Sequence, residues 1–120
     1  MVNLDTHILV ATVKGTLRPN EETVLDDFWV ISDIVLWEIA MLEREGRIQP
    51  LLNTPSFRRV LDRTEVYPID WMVARTVRRL DYRSDPADEI IGATSLRWDI
   101  PLLTRDSRIL ASKVVPLALR

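Results

Sequence analysis

The order of apolar runs along this chain predicts an α/β fold, a three-layer α/β/α arrangement with a mostly parallel central sheet, over residues 1–120 as one domain. Three observations carry the prediction. Runs at Val2 to Leu4, Phe28 to Ile31, Thr64 to Tyr67 and Leu102 to Thr104 are too short for helices, yet continuous enough to be buried strands. The stretches between them repeat apolar residues at helical spacing. Strands that alternate with helices in this way form parallel sheets covered on both faces. No repeat, linker or low-complexity segment interrupts the pattern, and 120 residues suffice for one core but not comfortably for two.

In order, Val2 to Leu4 is the first strand, turning at Asp5 and Thr6 into an apolar helix from His7 to Lys14 that Gly15 ends. Asn20 is placed to cap a second helix, with Glu21 and Glu22 in its first turn, the favourable sign for the helix dipole. Phe28 to Ile31 follows as a strand. Ser32 or Asp33 caps a helix carrying Ile34, Leu36, Trp37, Ala40 and Met41, and Gly46 stops it. A loop to Pro55, a short helix from Ser56 to Asp62 and the strand Thr64 to Tyr67 come next. Asp70 caps a helix with Met72, Val73, Thr76, Val77 and Leu80 at helical spacing. Asp85 before Pro86 reads as an N-cap with a first-turn proline, and Asp88 stands where a carboxylate can return a bond to the cap. Leu102 to Thr104 is another strand, and Val114, Val115 and Leu117 suggest a final edge strand. Trp29 reads as core. Trp37 and Trp98 default to core, with a dimer contact or a partner groove as alternatives.

Composition limits the chemistry. With no cysteine and His7 as the one histidine, thiolate sites, disulfides and histidine-based zinc sites are excluded, so any metal must be held by oxygen. A hydrophobic share of 47% with 28% charged residues is that of a soluble globular chain. The opening residues carry no signal-peptide pattern and no window reaches membrane-spanning length, so a cytoplasmic location is expected. The net charge of −2 provides no global attraction to nucleic acid. Arginine nevertheless outnumbers lysine heavily, in clusters at Arg58, Arg59 and Arg63 and at Arg75, Arg78, Arg79 and Arg83. Solvated helix faces are the plain explanation of both.

Four acids stand out. Asp5, Glu38 and Asp106 each lie just beyond an apolar run that reads as a strand, and Asp88 lies at a helix start. In a parallel sheet the strand ends meet at one edge. Gathering like charges there costs several kcal/mol unless a cation or a proton offsets them. Magnesium or manganese suits carboxylates and water, and two such ions about 4 Å apart clamp the attacking and leaving oxygens of a phosphodiester displacement. Asp5, Glu38, Asp88 and Asp106 are the candidate ligands and catalytic groups, with Thr6, Thr104 and Ser107 as accessory hydroxyls. Each acid also has a plain capping or surface explanation. Glu38 is the most telling, because Trp37 and Ile39 flank it.

The segments Leu4-Asp-Thr-His-Ile-Leu9, Ser32-Asp-Ile-Val-Leu-Trp-Glu-Ile-Ala40, Asp85-Pro-Ala-Asp-Glu-Ile-Ile-Gly-Ala-Thr94 and Pro101-Leu-Leu-Thr-Arg-Asp106 resemble the four acidic motifs of PIN-domain ribonucleases. In particular they resemble those of VapC-type toxins of bacterial toxin–antitoxin pairs, in matching order over essentially the whole chain. The resemblance implies a Mg2+- or Mn2+-dependent endoribonuclease that hydrolyses RNA phosphodiesters. It also implies a homodimer, and a cognate antitoxin that inserts a segment toward the acidic site. Asp5, Glu38, Asp88 and Asp106 match the expected metal ligands, Thr104 the accessory hydroxyl of the fourth motif, and Asp85 is assigned a structural role. His7 is read as packing or supporting the site. The chain departs from the pattern at Glu89, where many relatives carry arginine, which adds negative charge beside the site. Two alternatives are weighed: a non-catalytic module on the same fold, and a phosphoacceptor receiver domain. The second lacks the paired acids after the first strand, an acid straight after Tyr67 and the late lysine.

Overall fold

A computed structural model describes all 120 residues. Four strands, β1 (Val2–Leu4), β2 (Trp29–Ser32), β3 (Thr64–Tyr67) and β4 (Leu102–Leu103), form one sheet in the order β3-β2-β1-β4. Every pairing is parallel, with Val2 opposite Trp29, Asn3 opposite Leu102 and Trp29 opposite Thr64. The helices are α1 (Thr6–Lys14), α2 (Pro19–Val24), α3 (Ile34–Arg44), α4 (Pro55–Asp62), α5 (Trp71–Thr76), α6 (Pro86–Trp98) and α7 (Ser107–Leu110). A 3-10 turn over Val77–Arg79 extends α5. The chain steps outward from β1 to β2 to β3, then returns to place β4 on the other side of β1. Right-handed crossovers therefore put the helices of the first two connections on one face and α5 with α6 on the other. Reversal of direction opens a crevice at the carboxyl ends of β1 and β4.

The core is built from the strand residues Leu4, Val30, Ile31, Leu102 and Leu103 with Ile8 and Leu9 of α1, Val35 and Ile39 of α3, and Ile91 of α6. Asn3, fully buried on β1, donates from Nδ2 to Ser95 Oγ at 2.9 Å and to the Ile91 carbonyl at 3.3 Å, tying α6 to the centre of the sheet. Gly92 lets Tyr82 lie against the same helix. A Cβ there would stand 2.0 Å from the tyrosine oxygen, which donates to the Asp88 carbonyl at 2.9 Å.

Several local expectations are corrected. The second helix starts at Pro19 rather than after Asn20, because proline at the first helical position needs no donor partner; Glu21 instead accepts from Arg18 N at 2.8 Å. Phe28 is exposed and β2 begins at Trp29. The capping assignment at α6 also changes. Asp85 makes no side-chain cap, and the carboxylate that folds back belongs to Glu89, which accepts from Ser84 N at 2.8 Å. The final segment contributes one isolated parallel bridge, Leu102 to Leu117, in place of an edge strand. Trp29 is only partly buried, under the Arg63 guanidinium at 4.5 Å. Trp37 (57%) and Trp98 (42%) are exposed, because Val35, Ile39 and Leu42 fill the core side of α3 and Asp99 breaks α6 with a left-handed φ of 52° just past Trp98.

Candidate metal centre

Local folding delivers four carboxylates to the crevice. Asp5 leaves β1 and caps α1, accepting from Thr6 N at 2.7 Å through Oδ1. Its other oxygen accepts from Thr104 Oγ, just past β4, at 2.5 Å. The same Thr104 oxygen accepts from Asp106 N at 3.0 Å, so one hydroxyl sets the spacing of the first and fourth acidic segments. Asp106 caps α7, its Oδ1 accepting from Arg108 N and Ile109 N at 2.9 and 3.0 Å. Glu38, half-buried on α3, accepts from the buried Thr6 hydroxyl. Asp88 accepts from Ser84 Oγ at 2.8 Å.

Asp5, Glu38, Asp88 and Asp106 all line one cleft of roughly 510 Å3, together with His7 and Asp85. Burial pushes the Asp5 carboxyl above its usual range despite its two hydrogen bonds, and the Glu38 charge pushes the same way. Burial likewise raises Asp88 against its Ser84 bond, helped by the charges of Asp5 and Asp106. These acids sense one another, as carboxylates on one site must.

The donor set fits a hard divalent cation. It is all oxygen apart from His7, which suits magnesium or manganese rather than softer ions. Glu38, Asp88 and Asp106 each keep one carboxylate oxygen that accepts nothing from the protein. As the side chains stand, no three acids or histidines close around a single point. A cation held among them would offset the like charge that adds to burial in raising Asp5 and Asp88.

Of the accessory hydroxyls, Thr6 and Thr104 hold Glu38 and Asp5, whereas Ser107 is exposed at the start of α7 and outside the cleft lining. Glu89 is outside it too, its carboxylate turned to Ser84 N, so the negative charge expected beside the acids is drawn aside. Sequence reasoning missed the cations of the wall, Lys14, Arg47 and Arg105. Arg105 is gripped by Glu21 through two bonds of 2.7 Å. Its place between Thr104 and Asp106 was the available signal; a partner 84 residues away leaves none.

The comparisons agree with this geometry. The family model described as PIN domain matches residues 2–114. No curated protein matches the chain. Similar solved structures include a toxin–antitoxin complex from Klebsiella pneumoniae, 22% identical with a TM-score of 0.66, covering 92% of this chain and 91% of that one. VapBC2 from Rickettsia felis bound to a DNA fragment from its promoter is 17% identical with a TM-score of 0.67, covering 98% and 97%. FitAcB from Neisseria gonorrhoeae is 21% identical with a TM-score of 0.63, covering 98% and 96%. The receiver alternative falls, since that fold orders its strands 2-1-3-4-5. With its four-stranded parallel sheet, its acid-lined crevice and a family match over nearly its whole length, the chain belongs to the PIN domain family.

Proposed function

We propose that this chain is a Mg2+- or Mn2+-dependent endoribonuclease acting as the toxin of a VapC-type toxin–antitoxin pair. The observation that carries the reading is the convergence of Asp5, Glu38, Asp88 and Asp106, four acids from separate segments that line one cleft and take part in none of the chain's ion pairs. These four residues would hold the metal. When bound, the ion would polarise a phosphodiester and offset the charge of its pentavalent state.

The chain's own groups do the rest. Thr6 and Thr104 orient Glu38 and Asp5, Ser84 orients Asp88, and the first amides of α7 fix Asp106. Arg47 on the cleft wall would meet phosphate oxygens, and the exposed Ser107 hydroxyl would order water beside the cleft.

The toxin role draws support from the similar structures, among them the toxin–antitoxin complex from Klebsiella pneumoniae and VapBC2 from Rickettsia felis, which match over nearly full length on both sides. A cognate antitoxin protein and a homodimer belong to this reading, as does a cytoplasmic site of action. A panel of structured RNAs incubated with wild type and Asp88→Asn, with manganese or with chelator, tests it. Cutting should need both the metal and Asp88. Cutting that survives chelation, or that the variant retains, contradicts the reading.

A further inference from the structure

The two arginine clusters have different fates. In the first, Arg58 pairs with Asp62 at 3.1 Å, Arg59 bonds Ser56 and Arg63 covers Trp29. In the second, Arg75, Arg78, Arg79 and Arg83 are all exposed and take part in none of the chain's four ion pairs. Of the acids nearest in sequence, Asp70 caps α5, Asp81 holds Ser112 and the Lys113 amide, Glu89 holds Ser84 N, and Asp85 lines the acidic cleft. Glu89 shares a groove with Arg78 and Arg83, but its charge faces two guanidiniums there. In a chain of net charge −2, this is a local excess of unpaired cations.

The excess has direction. Trp71, Arg75, Arg78 and Arg79 recur at helical spacing along α5 and its 3-10 extension. Trp71, 70% exposed, lies under the Arg75 guanidinium at 4.6 Å. Arg75, Arg78 and Arg79 line an open groove of roughly 400 Å3. From there the chain runs through Arg83, whose carbonyl accepts from Arg108 Nη1 at 2.9 Å. Arg108 is itself exposed, and its amide donates to Asp106. The cations therefore lead from an exposed aromatic to the rim of the acidic cleft.

We propose that this strip is the track along which single-stranded RNA reaches the cleft, its phosphates on Arg75, Arg78, Arg79 and Arg83 and an unpaired base stacked on Trp71. Spaced guanidiniums beside an exposed indole suit a flexible strand, which offers backbone charge and free base faces together. In a chain of net charge −2 such a strip gives a polyanion a local attraction beside the edge where the carboxylates stand. The inference rests on the nuclease reading for its substrate, but its test does not need cleavage.

Anisotropy of a short fluorescein-labelled oligouridine, titrated with the full-length protein in EDTA at several salt concentrations, reads binding alone. Each lost phosphate contact lowers the slope of log affinity against log salt by about 0.7, so Arg75→Gln with Arg79→Gln should lower it by about 1.4. Trp71→Ala should weaken binding about tenfold and leave the slope unchanged. Arg58→Gln with Arg59→Gln should change neither. An unaltered slope in the Arg75/Arg79 variant overturns the proposal, as does a change of oligomeric state by that variant in size exclusion, which would assign the face to a second copy of the chain. Strip-dependent binding by a protein that cuts nothing with manganese sinks the nuclease reading and leaves the track standing. Manganese-dependent cutting with an unaltered slope does the reverse.

Discussion

Glu21 and Asp5 are both buried carboxylates, and they are pushed in opposite directions. Glu21 accepts two guanidinium bonds from Arg105, which hold it down to about 2, well below its usual value. Asp5 accepts an amide and a hydroxyl, meets no cation at bonding distance and is raised by burial. One carboxylate ties α2 to the loop after β4. The other stores unfavourable charge at the edge of a cleft. Burial by itself thus says little about function; burial of an acid without a cationic partner, next to other acids, marks the place where folding alone does not account for the charge.

The sharpest break between the two regions should come from Asp5→Asn. Cleavage should fall at least about a hundredfold, the scale of losing one group that stabilises the transition state. The fold should survive, because asparagine still accepts from Thr6 N and relieves the repulsion with Glu38. A melting curve without metal should show the variant as stable as wild type or more so near neutral pH.

Glu21→Gln should do the opposite, costing about 2 kcal/mol of stability in a denaturant titration while each folded molecule still cuts. The figure is moderate because Arg105 is partly exposed and can be rehydrated. The pH signs differ as well. With a lowered folded value, Glu21 stabilises the protein above about 4.5 and that contribution is lost as pH falls toward about 2. Asp5, with a raised value, favours the fold at low pH and ceases to do so as pH rises through that value. Acid titration of stability should therefore flatten in Glu21→Gln, and its descent at higher pH should flatten in Asp5→Asn.

A smaller effect is expected from Tyr82→Phe, which removes the bond to the Asp88 carbonyl at 2.9 Å and should cost about 1 kcal/mol by thermal melting. Arg58→Ala removes an exposed pair and should change stability by less than about 0.5 kcal/mol. A larger loss would mean that the first arginine cluster is more than a solvated helix face.

Much of the cleft could be read from the sequence because acids that follow buried strands have only one edge to go to. Asp5 after Val2-Asn-Leu4 and Asp106 after Leu102-Leu103-Thr104 are of this kind. Glu38 was legible through its apolar neighbours, though not for the reason given: Trp37 faces solvent, and the core side of α3 is Val35, Ile39 and Leu42. Adjacent acids in a helix's first turn are harder. Asp88 and Glu89 are equally able to fold back, and only the position of Ser84 decides that Glu89 does so and that Asp88 stays in the cleft. The grip of Glu21 on Arg105 joins segments 84 residues apart, and no local pattern encodes it. The short edge strand failed because one bridge at Leu117 is all that the irregular last segment offers.

Calorimetric titration of manganese into metal-free protein near neutral pH, for wild type and Asp88→Asn side by side, bears most directly on the convergence of the four acids. Wild type should bind the ion and rise in melting temperature with it, and the variant should lose most of both responses. Absence of binding in wild type, or binding that Asp88→Asn leaves intact, would contradict the account.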